Sequence, residues 1–159
     1  MKLKNRHTIS KKELKWLSEK LKSIFEKQII STENVETAYS EDLSMSVFII
    51  ENEILAFCWN GEPFLTIKGI LKYKPEKRYV TVDAGAVKAI SRGADVMAPG
   101  IVDLDKEISK GDLVWVRDIT YKKPLAVGVA LITGEEILSS KKGKAIEVKH
   151  RIGNKLWQG

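Results

Sequence analysis

The chain has 159 residues, of which 43% are hydrophobic and 30% charged, and a formal net charge of +6. Such a balance supports a packed core and excludes an intrinsically disordered chain, and no stretch of about 18 uninterrupted apolar residues exists to cross a membrane as a helix. The basic start leads into no long apolar run, and the lone Cys58 can form no internal disulfide, so a cytoplasmic chain with no membrane partner is expected.

The first predicted element is a helix. Ser10 and Glu13 have capping-box spacing, and Leu14, Leu17, Leu21, Ile24 and Phe25 recur on one face. Lys11, Lys12, Lys15, Lys20, Lys22 and Lys27 are left mostly to the wetter faces. Residues 1–28 hold nine lysines and arginines against three glutamates, a local charge of +6. Two readings stay open for them, a solvated face on a core helix or a surface that meets phosphate. Ile49-Ile50 and Ile54 to Trp59 flank a short polar connection and predict a hairpin, and Asn60-Gly61 marks the next turn. Pro63 suits a first helical turn, continued by Phe64, Ile67, Ile70 and Leu71, with Gly69 weakening that helix by about 1 kcal/mol. The charged stretch Lys72 to Arg78, which contains Pro75, is where a domain boundary is expected.

Beyond it the texture changes. Tyr79 to Val82 is β-prone, Asp83 is placed to cap a short helix carrying Val87 and Ile90, and Gly93 can end that helix left-handed. Short strands are expected around Ala94 to Met97, after the Pro99-Gly100 turn, and over Leu113 to Arg117, Leu125 to Ile132, Lys144 to Arg151 and Lys155 to Trp157. Glu135 to Leu138 fits one helical turn. Many short strands with one helix near their start predict a small β-barrel.

The segments Val80 to Ile90 and Gly93 to Ile101 resemble the opening of PUA domains, named after pseudouridine synthases and archaeosine transglycosylases. Gly111-Asp112, Ala126 to Ala130 and Gly143 to His150 follow in the family's order. Upstream, Asn52 to Trp59, Gly61 to Thr66 and Lys72-Tyr73 resemble the malignant-T-cell-amplified family, the partners of density-regulated protein. The resemblance implies an α+β pre-PUA domain over residues 1–77 and a small mixed β-barrel, the PUA pseudo-barrel, over 78–159. It also implies an RNA-binding protein of translation, with tRNA or rRNA as ligand and the small ribosomal subunit and a density-regulated-protein-like chain as partners.

The family's RNA groove lies between the helix–strand connection and the strand matching Val127 to Val129. By position, the resemblance assigns RNA contact to Arg92, Gly93 and Ala94, to Met97, Ala98, Pro99, Gly100 and Ile101, and to Leu125, Ala126, Val127 and Gly128. Lys88, Arg92, Lys123, Lys149 and Arg151 are the candidate phosphate partners, with His150 between the last two. Small residues in a left-handed turn would let a sugar–phosphate strand approach the backbone amides closely. Gly93 and Gly100 serve equally well as helix end and turn, and Gly128 as a guard against overpacking. Tyr79, Trp115, Tyr121 and Trp157 are candidate stacking rings, whereas His7 carries no motif and reads as solvated.

Catalysis is not expected. Two distant histidines and one cysteine in an apolar run offer no metal ligand set and no catalytic residue, and no phosphate loop or nucleophile elbow occurs. Asp83 reads as a cap, and Asp95, Asp103 and Asp105 as turn or surface residues. No cofactor is implied. Two other roles are compatible with the same residues: a subunit that targets a separate tRNA- or rRNA-modifying enzyme, and a protein–protein adaptor.

Overall fold

A computed structural model of the chain describes residues 2–151, which divide into two units between Pro75 and Glu76. The first unit runs β1 (Leu3–Thr8), α1 (Lys11–Phe25), β2 (Val35–Ser40), β3 (Met45–Ile50), β4 (Glu53–Trp59), β5 (Glu62–Leu65) and α2 (Ile67–Tyr73). Its sheet follows chain order from β1 to β5, with every neighbour antiparallel. The Ser10 hydroxyl caps α1 by accepting from the Glu13 amide at 3.1 Å. The stripe Leu17, Leu21 and Phe25 is buried, and the Phe25 ring lies 5.0 Å from that of Phe64 on β5. Glu51 and Asn52 both take positive φ, as a two-residue hairpin between right-twisted strands demands, and Asn60-Gly61 repeats the device.

Pro63 does not open a helix. It sits on β5 opposite Cys58, on the sheet's edge, where a residue without an N–H is tolerated. The helix starts four residues later, capped by Thr66, whose hydroxyl accepts from Gly69 N at 3.1 Å and donates to the Ile54 carbonyl at 2.9 Å. A side chain on Gly69 would place its Cβ 2.1 Å from the Leu55 carbonyl oxygen, so α2 lies backbone to backbone on β4. Strands β1 and β2 were not expected. Their mixed polar sequences lack the apolar alternation that marks a half-buried strand.

The second unit runs β6 (Tyr79–Val82), α3 (Ala84–Ser91), β7 (Val96–Met97), a 3-10 turn (Ala98–Gly100), β8 (Ile101–Leu104), β9 (Leu113–Asp118), β10 (Pro124–Ala130), α4 (Gly134–Ser140) and β11 (Lys144–Arg151). The sheet order is β7-β11-β10-β9-β6-β8. It is mixed, with β6 and β9 parallel and the other pairs antiparallel. Its two outermost strands, β7 and β8, are consecutive in the chain and joined only by the three-residue turn. At about 2 Å per residue, such a turn forces the sheet to curl until its edges approach. The result is a half-barrel rather than a fully closed one. Val80, Val82, Ile90, Val96, Leu104, Val116 and Ile146 fill it. The strand expected at Lys155 to Trp157 lies outside the described residues.

Candidate nucleic-acid interface

Helix α3 is fixed at both ends by its own sequence. Asp83 Oδ1 accepts from the Ala86 amide at 2.9 Å, and Gly93 turns the chain out of the helix at φ +103° with open space where a side chain would be. This left-handed exit spends the amides that had been assigned to RNA. The amides of Arg92 and Ala94 donate to the Ala89 carbonyl at 3.1 and 3.0 Å, and Gly93 N donates to Ile90 at 3.0 Å. Ala98 N donates to Gly143 at 2.8 Å, Ile101 N donates to the Ala98 carbonyl, and Pro99 has no N–H. The connection is exposed at Arg92, Gly93, Ala94, Met97 and Pro99, but the amides of Arg92, Gly93 and Ala94 are already spent on α3.

Several candidate contacts are interior. Ala98, Ile101 and Ala126 belong to the half-barrel core, Val127 and Gly128 are also buried, and His150 is 2% exposed, too little for its ring to stack on a base. The glycines have local causes. A Cβ on Gly128 would stand 2.4 Å from the Glu147 carbonyl oxygen, so β11 can approach only because the side chain is missing. One on Gly100 would stand 2.9 Å from Ala86 Cβ, so the turn seats against α3. These residues build the surface without forming it.

A largely half-buried set of residues frames a cavity beside α3. Val87, Ile90 and Ser91 on α3, Leu125 on β10 and Arg151 at the end of β11 line a cavity of about 150 Å³. A cavity of that size accepts one benzene-sized ring. Arg151 Nη2 donates to the Gly93 carbonyl at 3.3 Å, and its Nε is buried with no hydrogen-bond partner among the described residues. Leu125 and Arg151 were anticipated here. Val87 and Ile90 are expected on the short helix after Asp83 but carry no site assignment, and neither does Ser91. Spacing alone could have grouped them, since residues three and four apart share a helix face. Lys88 and Arg92 are exposed and lie farther round the same helix. Lys123, also exposed, is two residues from Leu125, whereas Lys149 is paired with Glu147 at 2.6 Å.

Asp95 fastens this corner. Its Oδ1 accepts from Val148 N at 2.8 Å and its Oδ2 meets Lys144 Nζ at 3.0 Å. The Val148 amide, reinforced by Lys144 and Arg151, holds the carboxyl below the usual carboxylate range. A depressed folded-state value stabilises above the unfolded value of about 3.9 and is lost as pH falls through the folded value. Thermal melts should therefore show Asp95→Asn less stable by about 1–2 kcal/mol at neutral pH, with the gap to the parent closing below about pH 4.

The remaining candidates are largely structural. Trp115 is 4% exposed and donates from Nε1 to the Lys77 carbonyl at 2.8 Å. Arg117 stacks 3.9 Å from the Tyr79 ring centroid. Asp103 faces Arg117 at 3.8 Å, and Asp105, which is buried, accepts from the amides of Arg78 and Glu107 at 2.7 and 3.0 Å. Trp157 lies outside the described residues. In the first unit a groove of about 510 Å³ runs beside α1, where Lys11 and Lys15 share the lining with Glu19 and Glu33. That mixed charge suits a polyanion less well. His7 is exposed on β1. Among the described residues no group of three or more metal-ligating side chains comes together, and no helix is long and apolar enough to cross a membrane.

A curled mixed sheet with a capped helix after its first strand is the architecture of PUA domains, and the PUA domain family model matches residues 78–152. A solved structure of a conserved PUA domain protein from Thermoplasma acidophilum is 30% identical, covers 97% of this chain and 98% of that one, and superposes with a TM-score of 0.77. The chain therefore belongs to the PUA-domain proteins. It is also similar to translation machinery-associated protein 20 of Saccharomyces cerevisiae, which is 28% identical over 144 residues, covering 87% of this chain and 79% of its own length. An uncharacterized protein of Methanocaldococcus jannaschii is 41% identical over 160 residues, covering 99% and 98%.

Proposed function

We propose that the chain is a non-catalytic RNA-binding protein of translation that holds an RNA end through the α3–β10–β11 face of its PUA domain. The observation that carries this reading is the ring-sized apolar pocket with the Arg151 guanidinium at its margin. An apolar slot takes the flat face of a base or sugar, and a cation beside it meets the following phosphate. Arg92 and Lys123, exposed just after α3 and just before β10, extend the cationic border. The relatives named for association with the translation machinery make tRNA and the small ribosomal subunit the RNAs to test first. The first unit, with its lysine-bearing α1, would then dock on the subunit or on a density-regulated-protein-like chain.

The full chain should bind tRNA and co-sediment with small ribosomal subunits. Its affinity should fall by about 0.7 log units per log unit of salt for each single-strand phosphate neutralised. Trimming the unpaired 3′ nucleotides from the tRNA should weaken binding. Equal affinity for trimmed and intact tRNA would reject the pocket as an end-binding site, and failure to bind either RNA would reject the function.

A further inference from the structure

We infer that the β9–β10 tip is a stacking platform for an unpaired nucleobase, with Tyr121 as the ring that receives it. The inference rests on the RNA-binding reading above and adds a second contact to it. Tyr121 is 76% exposed, more than any other exposed large hydrophobic among the described residues, and Ile119 beside it is 48% exposed. An exposed ring on a mobile loop would lose much of its binding free energy to ordering. This tip is already ordered.

Asp118 organises it with both carboxylate oxygens. Oδ1 accepts from the Tyr121 amide at 2.5 Å and Oδ2 from the Lys123 amide at 3.2 Å. The backbone closes the loop twice more, Asp118 N donating to the Lys123 carbonyl and Lys122 N to the Asp118 carbonyl, each at 3.1 Å. Lys122 takes a left-handed φ of 55° to allow it. Ile119 N donates to the Val82 carbonyl at 3.0 Å, which anchors the tip beside the start of α3.

Chemistry selects the occupant. Ile119 is one exposed apolar residue at the tip, but Tyr121 is followed by Lys122 and Lys123, with Lys123 Nζ 5.9 Å from the ring centroid, so cations outnumber apolar neighbours. The one acidic group, Asp118, is turned onto backbone amides. An aromatic face flanked by ammonium groups matches a base on a phosphate backbone, which single-strand binders recognise without reading sequence. The tip also continues into the pocket. Leu125 is four positions after Tyr121, so their Cα atoms are at most about 14 Å apart, and one short strand can engage both.

The test uses the full chain and a short single-stranded RNA of mixed sequence carrying 2-aminopurine at successive positions. Tyr121→Ala should weaken binding by about 5- to 100-fold, the range that loss of one base–aromatic stack produces. Tyr121→Phe should restore affinity to within about twofold, because the ring is kept. The salt slope should stay unchanged in both variants, and 2-aminopurine at one position should lose its quenching only in Tyr121→Ala. If Arg92→Glu with Lys123→Glu weakens binding while Tyr121→Ala leaves affinity and quenching intact, the platform is overturned and the RNA-binding reading stands. If the parent chain does not bind the oligonucleotide at all, both fall. A Tyr121→Ala chain that binds RNA normally but loses a protein partner makes the tip a protein contact and overturns the inference.

Discussion

Gly69→Ala is expected to destabilise the first unit by about 2–4 kcal/mol, because overpacking a closely seated backbone costs that much when nothing flexible can yield. The added Cβ would meet the Leu55 carbonyl oxygen at 2.1 Å. That oxygen already accepts from Thr66 N at 3.0 Å, and Thr66 caps α2 while holding the Ile54 carbonyl. To admit a methyl group α2 must lift from β4, and the cap and both strand contacts loosen with it. Helix propensity alone predicts the opposite sign, since alanine is favoured over glycine by about 1 kcal/mol. Chemical denaturation of the full chain decides between them. Gly85→Ala supplies the control. Its Cβ would sit 3.5 Å from Asp83 Oδ1, an ordinary contact, on an exposed first helical turn, and it should be neutral or slightly stabilising.

The second large effect concerns binding. Arg92→Glu combined with Lys123→Glu should lower RNA affinity by about 30- to 100-fold near 0.1 M salt and flatten the salt slope by about 1.4, as loss of two single-strand phosphate contacts requires. Both side chains are exposed, so the fold should be preserved and circular dichroism unchanged. Filter binding across a salt series measures slope and affinity together. An affinity drop without a change of slope would mean that these cations do not meet phosphate.

The sequence disclosed some of this and hid the rest for physical reasons. The α1 stripe, the hairpin around Glu51-Asn52 and the Asp83-to-Gly93 helix were legible because each carries a local signal: a 3.6-residue period, two β-prone runs about a polar connection, a cap. Pro63 misled because proline fits an edge strand as well as a first helical turn, and only sheet order distinguishes them. Transfer by position placed Ala98, Ile101, Ala126, Val127, Gly128 and His150 on the RNA surface, but β10 is an interior strand covered on both faces, so its consecutive residues Ala126, Val127 and Gly128 are all buried. Exposed amides in the Arg92-to-Ala94 exit could not survive as an idea, because the left-handed turn that exposes the backbone also bonds it to α3. The pocket was invisible for a related reason. Ile90 belongs to the core and Val87 packs against it, and only the arrival of Leu125 and Arg151 leaves a cavity beside them.

Ultraviolet cross-linking of the full chain to a single-stranded RNA, with the attached peptides mapped by mass spectrometry, tests the central claim most directly. Attachment should fall on the peptides that carry Val87 to Arg92, Tyr121 to Leu125 and Arg151. Attachment confined to the lysine face of α1, with those peptides unmodified, would contradict it.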